Sequence, residues 1–179
     1  MVLHGLFTNM GHAQEVRVEQ CKAQCVHSGV APRTLISIRD PYSFWRSVYT
    51  YNRGVVRTEK NFEGFMRDVA DEAADEDSWP QSSHIRRACG KPCSADYFLH
   101  TENLGAEWLN LLRDLELPLV ALPYINGSPP RPGHTVFTRE VVDIIHRIDA
   151  DMFSEFGYRK RADVPFELTS SKHIDPVWV

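Results

Sequence analysis

The chain has 179 residues, 42% hydrophobic and 25% charged, with a net charge of −4. This length and balance suit a single globular domain, residues 1–179, with a real core, rather than a disordered chain. The net negative charge argues against non-specific nucleic-acid binding, and no apolar run reaches the roughly 18 residues of a membrane span.

In chain order, residues 2–7 read as a short strand. The opening "MVLHGLFTNMGHAQ" lacks the basic start and long apolar stretch of a signal peptide. Its strand-like run directly after Met1 is an unusual domain start. Residues 14–27 read as a helix ended by Gly29 and Pro32. Within it Cys21 and Cys25 stand at i,i+4, as two reduced thiols on one face. Residues 34–38 form a continuous apolar strand of the kind buried in parallel sheets. Asp40 then offers an N-cap and Pro41 a first helical position, predicting a helix to about Asn52. Phe44, Val48 and Tyr51 fall on its expected buried stripe.

A further helix is predicted over 62–73, with Phe62, Phe65, Met66 and Val69 inward. The acidic run "DVADEAADEDSWP" reads as a solvated helix end and linker. "SSHIRRACGKPCS" reads as a loop with a helical turn; its Cys89 and Cys93 either close a short disulfide or stay reduced. Neither cysteine pair has the two-residue spacing usual in structural zinc sites, so no metal is expected. Residues 97–100 read as a strand and 103–115 as a helix carrying Leu104, Trp108, Leu111 and Leu112. "LPLVALPYI" contains a strand, and "NGSPPRPGH" is a rigid loop. Thr138 opens a last long helix to about Phe153, with Val141, Ile144, Ile145 and Ile148 as its core face. Residues 159–179 read as a C-terminal tail.

Alternation of strands and helices predicts an α/β domain with a mostly parallel sheet, whose ligands sit at the carboxyl ends of the strands. Arg39 stands where the 34–38 strand runs out. Arginine beside a helix N-terminus suits a phosphate, with the Ser47 hydroxyl as a further donor. Pairing of Arg39 with a neighbouring carboxylate is an equal reading of the same residues.

The pattern R-D-P-Y-x-x-x-x-S-x-Y, made by Arg39, Asp40, Pro41, Tyr42, Ser47 and Tyr49, narrows this. It resembles the 3′-phosphate-binding segment of sulfotransferases that use 3′-phosphoadenosine 5′-phosphosulfate (PAPS), above all the heparan and uronyl 2-O- and 6-O-type carbohydrate enzymes. "FLHTENL", "LPYINGSPPRP" and "FTREVVDIIHRIDADMFSEFGY" resemble later family segments in the same order, so the likeness runs from about Gly11 to Tyr158. The resemblance implies a P-loop-NTPase-like three-layer fold and transfer of a sulfuryl group from PAPS to a hydroxyl, without a metal. The acceptor it implies is a carbohydrate. By carry-over, Arg39 and Ser47 hold the 3′-phosphate. Many family members have arginine where this chain has Phe44.

An in-line transfer needs a base for the acceptor proton and charge stabilisation on the leaving phosphate. His12 in "MGHAQEV" resembles the Gly-His base of the 2-O-type enzymes; a local hydrogen bond at a helix start is its other reading. His4, within a strand, is the runner-up. His100 and Glu102 are placed on the acceptor side, with Glu102 also suited to cap the helix near Asn103. Arg131 either contacts cofactor phosphate or lies exposed.

The family's 5′-phosphosulfate loop, with its Lys, Gly and Ser/Thr, is not found: neither G-x-x-x-x-G-K-[ST] nor P-K-x-G-x-[ST] occurs. The expectation is a sulfotransferase sequence that starts after its first strand and loop. A divergent enzyme with "HGLFTNMGH" as substitute loop and a non-catalytic nucleotide- or glycan-binding relative are the alternatives. The absent Walker lysine argues against a kinase. The compartment is open: a Golgi lumen if a longer parent carries an anchor, otherwise the cytoplasm.

Overall fold

The computed structural model describes residues 3–6, 33–55, 60–72, 80–90, 92–122 and 135–168. The protein is mixed α/β. It divides into two compact units, Met1–Asp40 with Asp77–Pro123, and Pro41–Glu76 with Tyr124–Val179.

The first unit is built on a parallel sheet of three strands in the order β1-β2-β3, with β1 Leu3–Leu6, β2 Arg33–Ile38 and β3 Tyr97–His100. Thr34, Leu35, Ile36 and Ile38 are all buried. Burial on both faces of the strand is what a central parallel position demands. Register is set at Leu35↔Tyr97 and runs to Ile38↔His100. At the amino end of this pair Asp96 acts as a clasp. Its Oδ2 accepts from the Thr34 backbone N–H and from the Thr34 hydroxyl, each at 2.8 Å. Its own N–H donates to the Thr34 carbonyl at 3.0 Å. The Thr34 N–H, then the Thr34 hydroxyl and Arg33, hold the Asp96 carboxyl below the usual range against the opposing effect of burial.

Two helices belong to this unit. The segment expected as a loop with one helical turn is a full helix, Gln81–Cys89. Gln81, Ile85 and Cys89 recur every four residues and are all buried, so a one-sided stripe carries the helix despite its polar composition. Gly90, at φ 79°, ends it, with its N–H donating to the Arg86 carbonyl. Cys89 and Cys93 form a disulfide across that end. The second helix, Leu104–Asp114, follows a 3-10 turn over Thr101–Asn103 and packs Leu111 against Leu35 and Leu99. The strand expected in "LPLVALPYI" does not appear over residues 117–122. Pro118 and Pro123 remove donors a ladder would need. Leu119 and Val120 are exposed, and the Val120 carbonyl accepts from the Trp108 indole N–H.

The second unit packs helices around an aromatic core. Helix Pro41–Val55 starts where the Asp-Pro turn predicts. Its buried face is Tyr42, Trp45, Val48 and Tyr49, while Tyr51 is 51% exposed and Phe44 partly buried. Of the expected stripe of Phe44, Val48 and Tyr51, Val48 is buried, Phe44 packs partly buried against the core and Tyr51 is exposed. Aromatic residues surround this helix, so periodicity alone does not choose a face. Buried polar partners do. The Trp45 indole N–H donates to Asp149 at 2.7 Å, and the Tyr42 hydroxyl accepts from the Arg161 backbone N–H.

Helix Phe62–Glu72 buries Phe62, Met66 and Val69, as its spacing predicts. Thr138 caps helix Arg139–Ile148, its hydroxyl oxygen accepting from the Val141 N–H and its proton going to Glu63. The helix expected to run on to Phe153 breaks at Asp149 and resumes as Ala150–Ser154. The break aims the fully buried Asp149 carboxylate at Trp45. The residues read as a tail are partly structural: β5 (Phe166–Glu167) pairs antiparallel with β4 (Val136–Phe137). Phe166 stacks on Phe137, centroids 4.7 Å apart and planes 2° from parallel.

Candidate active site

Parallel strands end together at one edge, where irregular backbone and free polar groups gather. Here Ile38 closes β2 opposite His100, which closes β3, at an interstrand spacing of roughly 4.8 Å. Arg39 follows at once. Its backbone is held by a single side chain: the Arg39 N–H donates to Gln81 Oε1, and Gln81 Nε2 donates to the Arg39 carbonyl, both at 2.8 Å. A glutamine amide presents a donor group beside an acceptor group, as a backbone peptide does, so it extends the strand's pairing by one residue past the sheet. Gln81 is 7% exposed, so both bonds are shielded from water.

Next along the edge, Asp40 N–H donates to Glu102 Oε1 at 2.7 Å, and the Thr101 hydroxyl reaches the same oxygen at 3.2 Å. Glu102 therefore bonds back to the residue before the Pro41 helix. Glu102 stands in the 3-10 turn Thr101–Asn103 that joins β3 to the next helix.

The third element is His100. Its backbone N–H donates to Glu107 Oε2 at 2.6 Å, and its ring Nδ1 lies 3.1 Å from Glu107 Oε1. One carboxylate thus fixes both the main chain and the imidazole. An ionised carboxylate only accepts, so Nδ1 carries the proton in this pair. Side-chain exposure is 39% for His100 and 26% for Glu107.

Of the residues the sequence singles out, Arg39, His100 and Glu102 come together at this edge. Ser47 is half-buried on the second turn of helix Pro41–Val55, in the second unit. Tyr42 and Tyr49 of the motif serve the core: both are buried, and the Tyr49 hydroxyl donates to the Lys60 carbonyl at 3.0 Å. Phe44 packs edge-on to Trp45. Arg46 donates to the Leu168 carbonyl. His4 lies within β1. His12 and Arg131, together with Cys21, Cys25 and the helix expected over 14–27, lie outside the described residues.

Two participants escaped sequence reasoning. Gln81 carries no signal beyond following a proline. Glu107 is legible only in hindsight, seven residues after His100, which spans a strand end, a 3-10 turn and the first turn of a helix.

A surface groove of about 690 Å³ lies elsewhere, in the second unit, among Arg67, Asp71, Arg139, Glu140, Asp143 and Arg147. Arg67 is bonded to both Glu63 and Glu140, and these acids lift the Arg67 pKa while Arg67 lowers that of Glu140. The groove's charges offset one another and none of the motif residues lines it, so the sheet edge is the better candidate. Among the described residues no group of three or more His, Cys, Asp or Glu is placed to hold a metal, and no helix is long and apolar enough to cross a membrane. No family model, curated protein or solved structure matches the chain.

Proposed function

We propose that the protein is a PAPS-dependent sulfotransferase that moves a sulfuryl group to a hydroxyl, that of a carbohydrate. In this reading the parallel strands belong to a three-layer, P-loop-like sheet. The observation that carries it is the position of Arg39, which directly follows the middle strand of a parallel sheet, two residues before a helix that begins at Pro41 and carries Ser47. Arg39 supplies the planar donor fork that suits a phosphate, and Ser47 a neutral donor.

The fit to a 3′-phosphate is partial. Glu102 already takes the Asp40 N–H, so the phosphate relies on the two side chains and not on that backbone donor. Arg131, in its Pro-rich loop, is a further candidate ligand, and His12 is the base that the resemblance implies. The Cys89–Cys93 disulfide agrees with work in an oxidising compartment such as a Golgi lumen.

Calorimetry with adenosine 3′,5′-bisphosphate and with adenosine 5′-monophosphate tests the cofactor site. The bisphosphate is expected to bind and the monophosphate to bind far more weakly. Arg39→Ala should weaken bisphosphate binding by roughly tenfold to a hundredfold, the worth of a charge-assisted bond. Equal binding of both nucleotides, or an unaffected Arg39→Ala variant, sinks the reading.

A second reading is a nucleotide- or glycan-binding relative without catalysis. Residues 1–179 hold no Lys-Gly-Ser/Thr phosphosulfate loop, as is expected of such a relative. It predicts bisphosphate binding with no transfer of label from PAPS.

A further inference from the structure

We infer that the Cys89–Cys93 disulfide is a redox switch that sets how firmly Arg39 is held at the sheet edge. The helix Gln81–Cys89 links the two. Its first residue, Gln81, carries both hydrogen bonds to the Arg39 backbone. Its last residue, Cys89, is one half of the disulfide. All of these residues belong to one compact unit.

This helix needs an anchor at its far end. It has nine residues, fewer than the roughly 12–15 that an isolated helix needs to persist in water. Pro80, which precedes it, makes no side-chain cap bond. At the other end, Gly90 N–H donates to the Arg86 carbonyl at 2.7 Å, and Ser94 N–H to the Cys89 carbonyl at a longer 3.3 Å. The disulfide is the covalent tie there, and it joins the helix to the turn that leads into β3. A helix of about two and a half turns opens cooperatively, so freedom admitted at Cys89 is felt at Gln81. When Gln81 lets go, the Arg39 backbone loses both of these bonds.

The two sulfurs differ in access. Cys89 is 4% exposed, whereas Cys93 is half-buried in the turn. An attacking thiolate therefore reaches Cys93 first. With a dithiol as reductant, its thiolate attacks Cys93 Sγ and forms a mixed disulfide. The Cys89–Cys93 bond breaks, and its electron pair leaves on Cys89 Sγ, which takes up a proton. The reductant's second thiolate then attacks its own sulfur in the mixed disulfide. The reductant closes into a cyclic disulfide, and Cys93 leaves as a thiolate and is protonated. Two electrons and two protons have passed to the protein.

The reduced state is accommodated. Cys89 Sγ lies 3.0 Å from the Ile85 carbonyl oxygen, an acceptor for the new thiol proton. A buried thiol packs as a small hydrophobe. Reduction thus leaves a folded protein with a looser helix, and oxidation restores the tie. The compartment becomes a condition of activity: an oxidising lumen holds Arg39, and a reducing cytosol releases it.

The test follows amide hydrogen exchange by NMR in oxidised protein, in protein reduced with dithiothreitol, in Cys93→Ser and in Gln81→Ala. Alkylation and mass spectrometry report the state of Cys89 and Cys93. On reduction the Arg39 amide is expected to exchange roughly thirtyfold faster, the loop-closure worth of a ring of about five residues. The Ile36 amide, in the strand paired on both sides, should stay within about twofold of its oxidised rate. Cys93→Ser should match the reduced protein, because it removes this bond and no other. In Gln81→Ala the Arg39 amide should be fast from the start and indifferent to reduction. Calorimetry with adenosine 3′,5′-bisphosphate is a second arm, and this arm rests on the sulfotransferase reading. Reduced protein should bind it more weakly, by about threefold up to the same limit of roughly thirtyfold.

An Arg39 amide unchanged by reduction overturns the switch. So does an Ile36 amide that quickens as much as that of Arg39, which makes the disulfide a staple of the whole unit. An effect of dithiothreitol that Cys93→Ser does not reproduce overturns it as well, as do Cys89 and Cys93 that stay reduced in glutathione disulfide. Equal binding of the bisphosphate by oxidised and reduced protein shows that the tie does not act on the site, and also overturns it. Oxidised protein that binds no bisphosphate is a different result: it removes the sulfotransferase reading and leaves the exchange rates to decide the switch.

Discussion

The two units hold themselves together by different means. The second is an aromatic core in which Tyr42, Trp45, Phe62 and Phe137 are buried together, with Phe153 and Phe166 against them. The first has a thin apolar centre of Leu35, Leu99 and Leu111 and is finished by polar clasps on single backbone groups: Asp96 on Thr34, Gln81 on Arg39, Glu102 on Asp40 and Glu107 on His100. Aromatic packing is tolerant of small shifts and supplies stability. Hydrogen-bond clasps are directional and supply position. The chemistry-bearing residues gather where position is fixed, and the second unit carries most of the buried aromatic mass.

Trp45→Ala should test this difference most severely. It empties a fully buried site and removes the indole donor to Asp149, for a cost of about 3–5 kcal/mol. Amide exchange should rise over residues 139–148 while β2 and β3 keep their protection. Equal loss in both units would abolish the distinction drawn between them.

Removing a clasp should cost less and act more locally. Asp96→Ala is expected to destabilise by roughly 1–2 kcal/mol in a denaturant titration. Its acid sensitivity follows from the lowered Asp96 pKa. The bound carboxylate's contribution is complete above the ordinary carboxylate range and fades as pH falls through the native value. Gln81→Ala should cost a similar ~1–2 kcal/mol and also weaken bisphosphate binding, because it releases the backbone of Arg39.

A smaller effect is expected at His146. Its Nε2 lies 2.6 Å from the Tyr42 hydroxyl. That hydroxyl accepts from Arg161 N–H, and it can donate to the ring when Nε2 is unprotonated. Burial, then the charge of Lys160 and that of Arg139, hold the His146 pKa below its ordinary 6.5, against Asp143. The unfolded chain therefore takes its proton first as pH falls. Stability is complete above about 6.5 and declines until native His146 is protonated too. The melting temperature should fall between pH 7.5 and 5.5, and His146→Gln should flatten that slope. Arg67→Ala, which breaks only exposed pairs with Glu63 and Glu140, should leave the midpoint unchanged within error.

Strands and helices with one clear period were legible in the sequence. Residues 97–100 read as a strand and are one, and Phe62, Met66 and Val69 face inward as their spacing requires. Thr138 announced its cap. What was not legible depended on partners distant in the chain. The phase of the Pro41–Val55 helix is decided by Asp149 and Arg161, more than a hundred residues away. The Gln81–Cys89 helix is polar in composition and shows its stripe only when Gln81 and Cys89 are counted as buried. At the candidate site, Arg39 and His100 were visible as strand-end residues. Their clasps were not, because a glutamine or glutamate that bonds a backbone group leaves no spacing rule in the sequence.

The return of β5 to β4 has a practical consequence. Phe166 lies flat on Phe137, Arg161 N–H meets the Tyr42 hydroxyl, and the Leu168 carbonyl takes the Arg46 guanidinium. A version of the chain cut after Tyr158 would lose all three and expose an aromatic face, so it should express poorly. The same contacts make that segment a natural complementing peptide. A synthetic 159–168 peptide added to the shortened chain should raise its melting temperature in a concentration-dependent way, and a fluorophore attached to that peptide would turn the missing strand into a folding sensor.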